Sequence, residues 1–183
     1  YYDAPKYNPL QMLTYMFMHG GFDHLFFNMF SLYMFGRLLE MVWGSGRFIT
    51  YYLVTGVGAA IVQQVAWRYG LISDILTQYS VSYGELCAAG TSLLNSLVTI
   101  GASGSVFGIL LAFGMMFPNA ELFLLIPPMP VKAKWLVIGY GVIEFFSGVV
   151  GSGDGIAHFA HLGGMLFGFI LIMFWRNYRK HEF

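Results

Sequence analysis

GASGSVFGILLAFGMMF, residues 101–117, is an apolar run that opens on a serine between glycines and ends against Pro118. Read as a helix from Ser103 to Phe117, it is shorter than the roughly 20 residues needed to cross about 30 Å of hydrocarbon. Such a helix starts inside the bilayer, and its first N–H groups have no partners within the helix. In lipid those groups are costly unless they line a water-filled cavity. Gly104, Gly108 and Ala112 recur every four residues, so they form a small-residue stripe on one face, where a second helix can approach closely.

The rest of the chain supports a membrane setting. It is 57% hydrophobic and 19% aromatic, only 10% of its 183 residues are charged, and its mean hydropathy is +0.65. That composition cannot supply a polar surface to water. Around residues 101–117, four further apolar segments are expected as helices: Phe22 to Val42, Arg47 to Trp67, Lys134 to Val150 and Ile156 to Trp175. They lack the period-two alternation of barrel strands and are too long for them. The stretch from Arg68 to Ile100 is amphipathic and polar in patches, and Pro127, Pro128 and Pro130 mark Pro118 to Lys134 as a loop. The expected fold class is an all-α, polytopic membrane helix bundle, a single domain over residues 1–183.

Arg37, Arg47, Lys132, Lys134, Arg176, Arg179 and Lys180 fall on one side of these spans, and only Lys6 and Arg68 on the other. The positive-inside rule then makes the C-terminus cytoplasmic and Tyr1 external, with a bacterial inner membrane as the expected location. An external start leads to the expectation of a further helix upstream of Tyr1. A net charge of +0 leaves no basic patch for nucleic acid. Cys87 stands alone, so neither an internal disulfide nor a thiolate metal site is available.

Polar residues inside spans are the functional candidates. Asn28, Ser103 and His161 each lie 14 residues from the cytoplasmic end of their helix, which places all three about 21 Å above that boundary. His24 sits one turn above Asn28 on the same face. Ala160, Gly164 and Gly168 repeat on the last helix the stripe formed by Gly104, Gly108 and Ala112. Packing the two stripes together would bring the Ser103 hydroxyl within hydrogen-bonding reach of His161. A serine hydroxyl becomes a nucleophile when a neutral imidazole takes its proton. The oxyanion formed on a carbonyl then needs donors, which His24, Asn28 and the Ser103 end of its helix can provide.

At these residues the chain resembles the rhomboid family of intramembrane serine proteases: His24-Leu25-Phe26-Phe27-Asn28, Gly101-Ala102-Ser103-Gly104, and Ala160-His161-Leu162-Gly163-Gly164 followed by Gly168. The motifs come in the family's order and the resemblance runs from about Met18 to Trp175. It implies a Ser103–His161 dyad with no acidic third member, and an oxyanion hole from Asn28, His24 and the Ser103 backbone. It also implies substrates that are membrane-spanning segments of other proteins, and a core of six helices, of which five are visible here. Phe107 stands where some members carry a tyrosine beneath the histidine; it can stack but donates no hydrogen bond. The loop signature expected soon after the family's first helix is not visible.

Ser103 alone could be a packing residue, and His161 alone a structural one. His19 and His158 are expected to be structural or interfacial. A metal site from His19, His24, His158 and His161 is disfavoured because no HExxH and no acidic ligand is seen beside them, so neither metal nor cofactor is expected. Gly151-Ser152-Gly153-Asp154 matches the GxGD string of intramembrane aspartyl proteases, but Asp154 falls in a loop and the Tyr2-Asp3 pair lies outside the membrane. Residues 101–105 lack the last glycine of a G-x-S-x-G elbow, and no alternating strands precede them. Arg37 and Glu40 are expected as an interfacial anchor and a partner for nearby polar groups. The competing function is a non-catalytic relative that binds transmembrane segments. A solute transporter is disfavoured because no inverted repeat is evident.

Overall fold

The computed structural model describes residues 1–89, 91–124, 128–151 and 156–180. After α1 (Gln11–Thr14) and a 3₁₀ turn (Tyr15–Phe17), α2 (Phe22–Ser31) runs through a π-helical turn (Leu32–Gly36) into α3 (Arg37–Trp43). α4 (Ser45–Tyr69) follows directly, then α5 (Leu71–Tyr79), α6 (Tyr83–Ala89), α7 (Thr91–Ser96) and α8 (Ser103–Met116). A hairpin of β1 (Glu121–Leu124) and β2 (Met129–Lys132) leads to α9 (Ala133–Val150) and α10 (His158–Lys180). Phe22–Trp43, Ser45–Tyr79, Ala133–Val150 and His158–Asn177 are long and apolar enough to span a membrane, and Ser103–Met116 is a shorter apolar helix. The chain is therefore a multi-pass integral membrane protein, and the expected helix bundle is what it forms.

Several details depart from the sequence reading. The last span begins at His158, not Ile156. Arg68 to Ile100 folds into α5, α6 and α7. The proline-containing loop holds a short antiparallel hairpin that pairs Glu121 with Lys132 and Phe123 with Pro130, a position proline tolerates on an edge strand. The π turn in the first span was not foreseen; such turns reset the register of a helix face. Here the register turns the glycine of Gly36 toward Phe48, whose Cζ would lie 2.9 Å from any added Cβ. Asp154, of the GxGD string, lies outside the described residues.

α4, α8 and α10 form the axis of the bundle, and α9 leans on α8 and α10. α10 and α8 touch backbone to backbone: a Cβ on Gly164 would stand 1.8 Å from the Gly104 carbonyl oxygen. The remaining small residues accommodate α4 as much as each other. A Cβ on Gly104 would meet Ala59 at 2.5 Å, one on Gly108 would meet Thr55 at 2.8 Å, and one on Gly168 would meet the Tyr51 hydroxyl at 2.2 Å. The stripes of α8 and α10 do face each other, since a Cβ on Gly108 would stand 3.0 Å from the Gly164 carbonyl oxygen, and α4 packs into the same junction.

The ends of the bundle differ. At one end Leu39, Tyr51, Ile109, Ala112 and Ile172 form a buried cluster edged by Trp43 and Trp175, and the Arg47 guanidinium lies over the Trp175 ring at 5.9 Å. Arg37 donates to the Tyr33 hydroxyl and Ser45 to Glu40 at this same end, in keeping with the anchoring expected of Arg37 and Glu40. At the other end Tyr1, Ala4, Ile72 and Leu94 pack together, the Tyr1 amino group donates to Leu97 O at 2.9 Å, and Arg68 sits 4.1 Å above the Tyr83 ring. Asp3 accepts from the Tyr83 hydroxyl there, away from any intramembrane pairing. The exposed stacked rings of Phe22, Phe26 and Phe30 face outward, where lipid replaces a protein partner.

The backbone contact predicts a steep difference between two glycines. Gly164→Ala should lower unfolding stability by about 1–3 kcal/mol through overpacking, whereas Gly139→Ala, with open space around its Cβ, should be neutral or slightly stabilising. Thermal melts followed by circular dichroism in detergent micelles measure both.

Candidate active site

Ser103 is the first residue of α8 because Gly101 breaks the chain just before it. Gly101 holds φ +119, a conformation open to glycine and strained for other residues. Its N–H donates to Tyr15 O at 3.0 Å, tying the site to the 3₁₀ turn. The space over its Cα is occupied on one side by the His24 ring. A Cβ there would lie 2.6 Å from His24 Nε2 and 3.8 Å from the Ser103 nitrogen. A side-chain ring nitrogen and a helix-terminal N–H therefore border the same small space.

His161, one turn into α10, brings Nε2 to 2.8 Å from Ser103 Oγ. The Phe107 ring lies parallel to the imidazole with centroids 4.2 Å apart and an interplanar angle of 5°. Phe107 sits one turn below Ser103 on α8, so one helix supplies both the hydroxyl and the platform on which the ring rests. His161 and Asn28 are buried, at 7% and 6% exposure. Asn28 Nδ2 donates to His24 O at 2.8 Å, which turns its amide along its own helix and leaves its second N–H as the donor available to a substrate. His24 Nδ1 accepts from Gly20 N, and its ring packs edge-on against His19 at 5.2 Å.

Polar groups of α4 and the 3₁₀ turn complete the surroundings. Gln63 Oε1 accepts from Ala160 N at 3.1 Å, an N–H at the start of α10 that is shared with Ala157 O at 2.9 Å. Tyr51 donates to Gly108 O, Ser105 to Tyr52 O and Tyr15 to Gly56 O, each at 2.8 Å. A cavity of about 330 Å³ lies on the side of Thr99 and Ile100, lined also by Tyr15, Gln63, Trp67 and Asn95. Ser103, His161, His24 and Asn28 are not among its lining residues.

Glu144 is the site residue that the sequence reading missed. It lies in α9, buried at 7% exposure. Its Oε2 is 2.6 Å from His158 Nδ1 and 3.0 Å from His161 Nδ1. The first contact is a hydrogen bond. The second has ion-pair distance without hydrogen-bond alignment, since His161 Nδ1 has no geometrically aligned partner. The signal was present: a carboxylate within an apolar span, and two histidines three residues apart on one face. The expectation that no acidic group accompanies the histidines is thereby corrected, and the bond to Glu144 gives His158 a structural role, one of the two expected for it. The donor atoms of Glu144, His158 and His161 all lie within 4.8 Å of one another. Oε2 nonetheless approaches both rings more closely than the roughly 3.3 Å separating ligands around a tetrahedral ion with bonds near 2.05 Å. The geometry is that of a carboxylate holding two imidazoles.

Fold and site together define a multi-pass helical membrane protein with a serine and a histidine paired inside the bundle. The Rhomboid domain family model matches residues 8–178, and the chain belongs to the rhomboid family. It is 29% identical to Rhomboid protein 1, mitochondrial, of Saccharomyces cerevisiae, over 83% of this chain and 38% of the yeast protein. It is 29% identical to Rhomboid-like protein 11, chloroplastic, of Arabidopsis thaliana, over 94% of this chain and 54% of that protein. With Rhomboid protease AarA of Providencia stuartii it shares 24% identity over 85% of this chain and 52% of that one. The chain thus spans about half or less of the length of these curated relatives. No solved structure gives a significant match.

The constraint at Gly101 is testable on its own. Gly101→Ala should displace His24 and cost about 1–3 kcal/mol of backbone strain, seen as a lower melting temperature together with a changed His24 imidazole signal in NMR spectra of histidine-labelled protein.

Proposed function

We propose that this protein is an intramembrane serine endopeptidase that cleaves transmembrane segments of other proteins near the outer face of the membrane. The observation that carries this reading is the 2.8 Å approach of Ser103 Oγ to His161 Nε2 inside the bundle. In the reaction His161 takes the hydroxyl proton as Oγ attacks the scissile carbonyl, then returns that proton to the leaving amine. A water molecule repeats the cycle on the acyl-serine ester and frees Ser103. The negative charge on the carbonyl oxygen is met by His24 Nε2–H, the free N–H of the Asn28 amide and the Ser103 backbone N–H. Residues 1–183 act as a single protease domain, and Gly104, Gly108, Gly164 and Gly168 serve it by letting the three axial helices close up.

The depth of the site favours a substrate that is itself in the membrane, entering sideways and unwinding locally to present its carbonyl. The arginines and lysines gathered at the opposite end support a cytoplasmic C-terminus, and we place the protein in a bacterial inner membrane. No bound cofactor or metal enters the mechanism.

Ser103→Ala and His161→Ala should each abolish cleavage of a reporter membrane protein in proteoliposomes while leaving the helical circular dichroism unchanged. Cleavage that persists in both variants rejects the assignment. A wild-type chain that folds, binds the reporter and never cleaves it identifies a non-catalytic binder of transmembrane segments instead. Asn28→Ala should slow turnover by roughly tenfold to a thousandfold if its amide serves the oxyanion, and an unchanged rate removes it from the mechanism.

A further inference from the structure

The structure assigns Glu144 as a positioning residue for His161, making a Ser103–His161–Glu144 relay that joins α8, α10 and α9. This inference rests on the protease reading above and departs from the dyad without an acid that the family resemblance implies.

The argument begins with the tautomer. For the Ser103 hydroxyl to donate to Nε2, that nitrogen must carry its lone pair, so the proton of neutral His161 must reside on Nδ1. The group facing Nδ1 is Glu144 Oε2, at 3.0 Å. An ionised carboxylate only accepts, so it favours the Nδ1–H tautomer and disfavours the reverse one. His158 Nδ1 reaches the same oxygen at 2.6 Å, and a single oxygen that holds one ring by a hydrogen bond and a second at ion-pair distance fits the ionised form. When Nε2 takes the serine proton, the resulting imidazolium lies beside that negative charge in a buried setting. The attraction there is stronger than in water, and the proton stays on the ring.

Three elements hold the contact. Phe107 of α8 fixes the plane of the imidazole by stacking. His158, one turn before His161 on α10, anchors the carboxylate from the side away from Ser103. Glu144 projects from α9, the outermost of the helices packed on the site. The bent approach to Nδ1 means that the carboxylate acts first as a charge and tautomer selector; a small rotation of the ring would align the bond during turnover.

The experiment uses the full chain in proteoliposomes with a transmembrane reporter. Ser103→Ala is the reference that establishes whether the protease reading holds; if that variant cleaves, the reading itself has failed whatever Glu144 does. With that reference inactive, Glu144→Gln should lower kcat by at least about a hundredfold with KM changed less than threefold, since an isosteric amide can present N–H to Nδ1 and select the wrong tautomer. Glu144→Asp should recover part of the loss. A Glu144→Gln enzyme with kcat within threefold of wild type overturns the inference, as does a loss confined to KM. Should Glu144→Gln fail to fold, ¹⁵N-histidine NMR of the wild type decides. ¹⁵N shifts, assigned by their loss in His161→Ala, that show His161 protonated at Nδ1 and bare at Nε2 support the relay, and the reverse tautomer overturns it.

Discussion

Helices α8 and α10 approach so closely at Gly104 and Gly164 that a methyl group on Gly164 would overlap the Gly104 carbonyl oxygen. Everything at the site inherits its geometry from this contact. Ser103 immediately precedes Gly104 and His161 lies one turn before Gly164, so backbones in contact leave only a hydrogen-bond length between their side chains. In lipid no hydrophobic force drives helices together, and packing of small residues must supply the association. Ser103 and His161 therefore sit beside the point where α8 and α10 pack backbone to backbone.

Close approach raises a second problem, because it buries polar backbone where water is scarce. α4 resolves much of it with side chains that are unusual in a membrane span. Tyr51 bonds the Gly108 carbonyl, Gln63 takes the N–H of Ala160, and the backbone of α4 accepts from Ser105 and Tyr15. Each bond is worth about 1 kcal/mol net, a modest sum. Their positions matter more. They hold α4, α8 and the start of α10 in one register, and they link that register to the Gly101 bend through Tyr15. The start of α8 is thereby fixed in place by its neighbours, through bonds with α4 and the 3₁₀ turn.

The sequence made the spans legible because the bilayer enforces one length and one polarity on each of them. It also pointed to Ser103 and His161, since a serine and a histidine beside matching small-residue stripes form a pattern that survives errors in helix ends. The role of α4 was not legible. Tyr51, Thr55 and Ala59 recur every four residues on one face of α4, but the large Tyr51 masks the pattern, and these side chains fit because glycines on two other helices leave space for them. The hairpin of β1 and β2 was hidden by prolines, whose lack of an N–H argues against a strand except at an edge. The π turn at Leu32–Gly36 has no local signature, and it ends at Gly36, which packs against Phe48.

Glu144 was overlooked for a different reason, and the reason is instructive about buried acids. Sequence reasoning searched near the histidines for a carboxylate at ligand spacing, while the structure supplies one from another helix. A carboxylate in a span is costly enough that it must have partners. His158 alone would satisfy that need through its 2.6 Å bond. A second imidazole at 3.0 Å is more than stability requires, and it is the imidazole that already faces Ser103. The arrangement resembles the general solution for a serine nucleophile, in which a buried acid orients the base without taking its proton. The difference lies in the solvent: with lipid on most sides, a charge that stabilises the imidazolium has to be carried into the membrane as part of the fold, and His158 is the residue that lets it stay there.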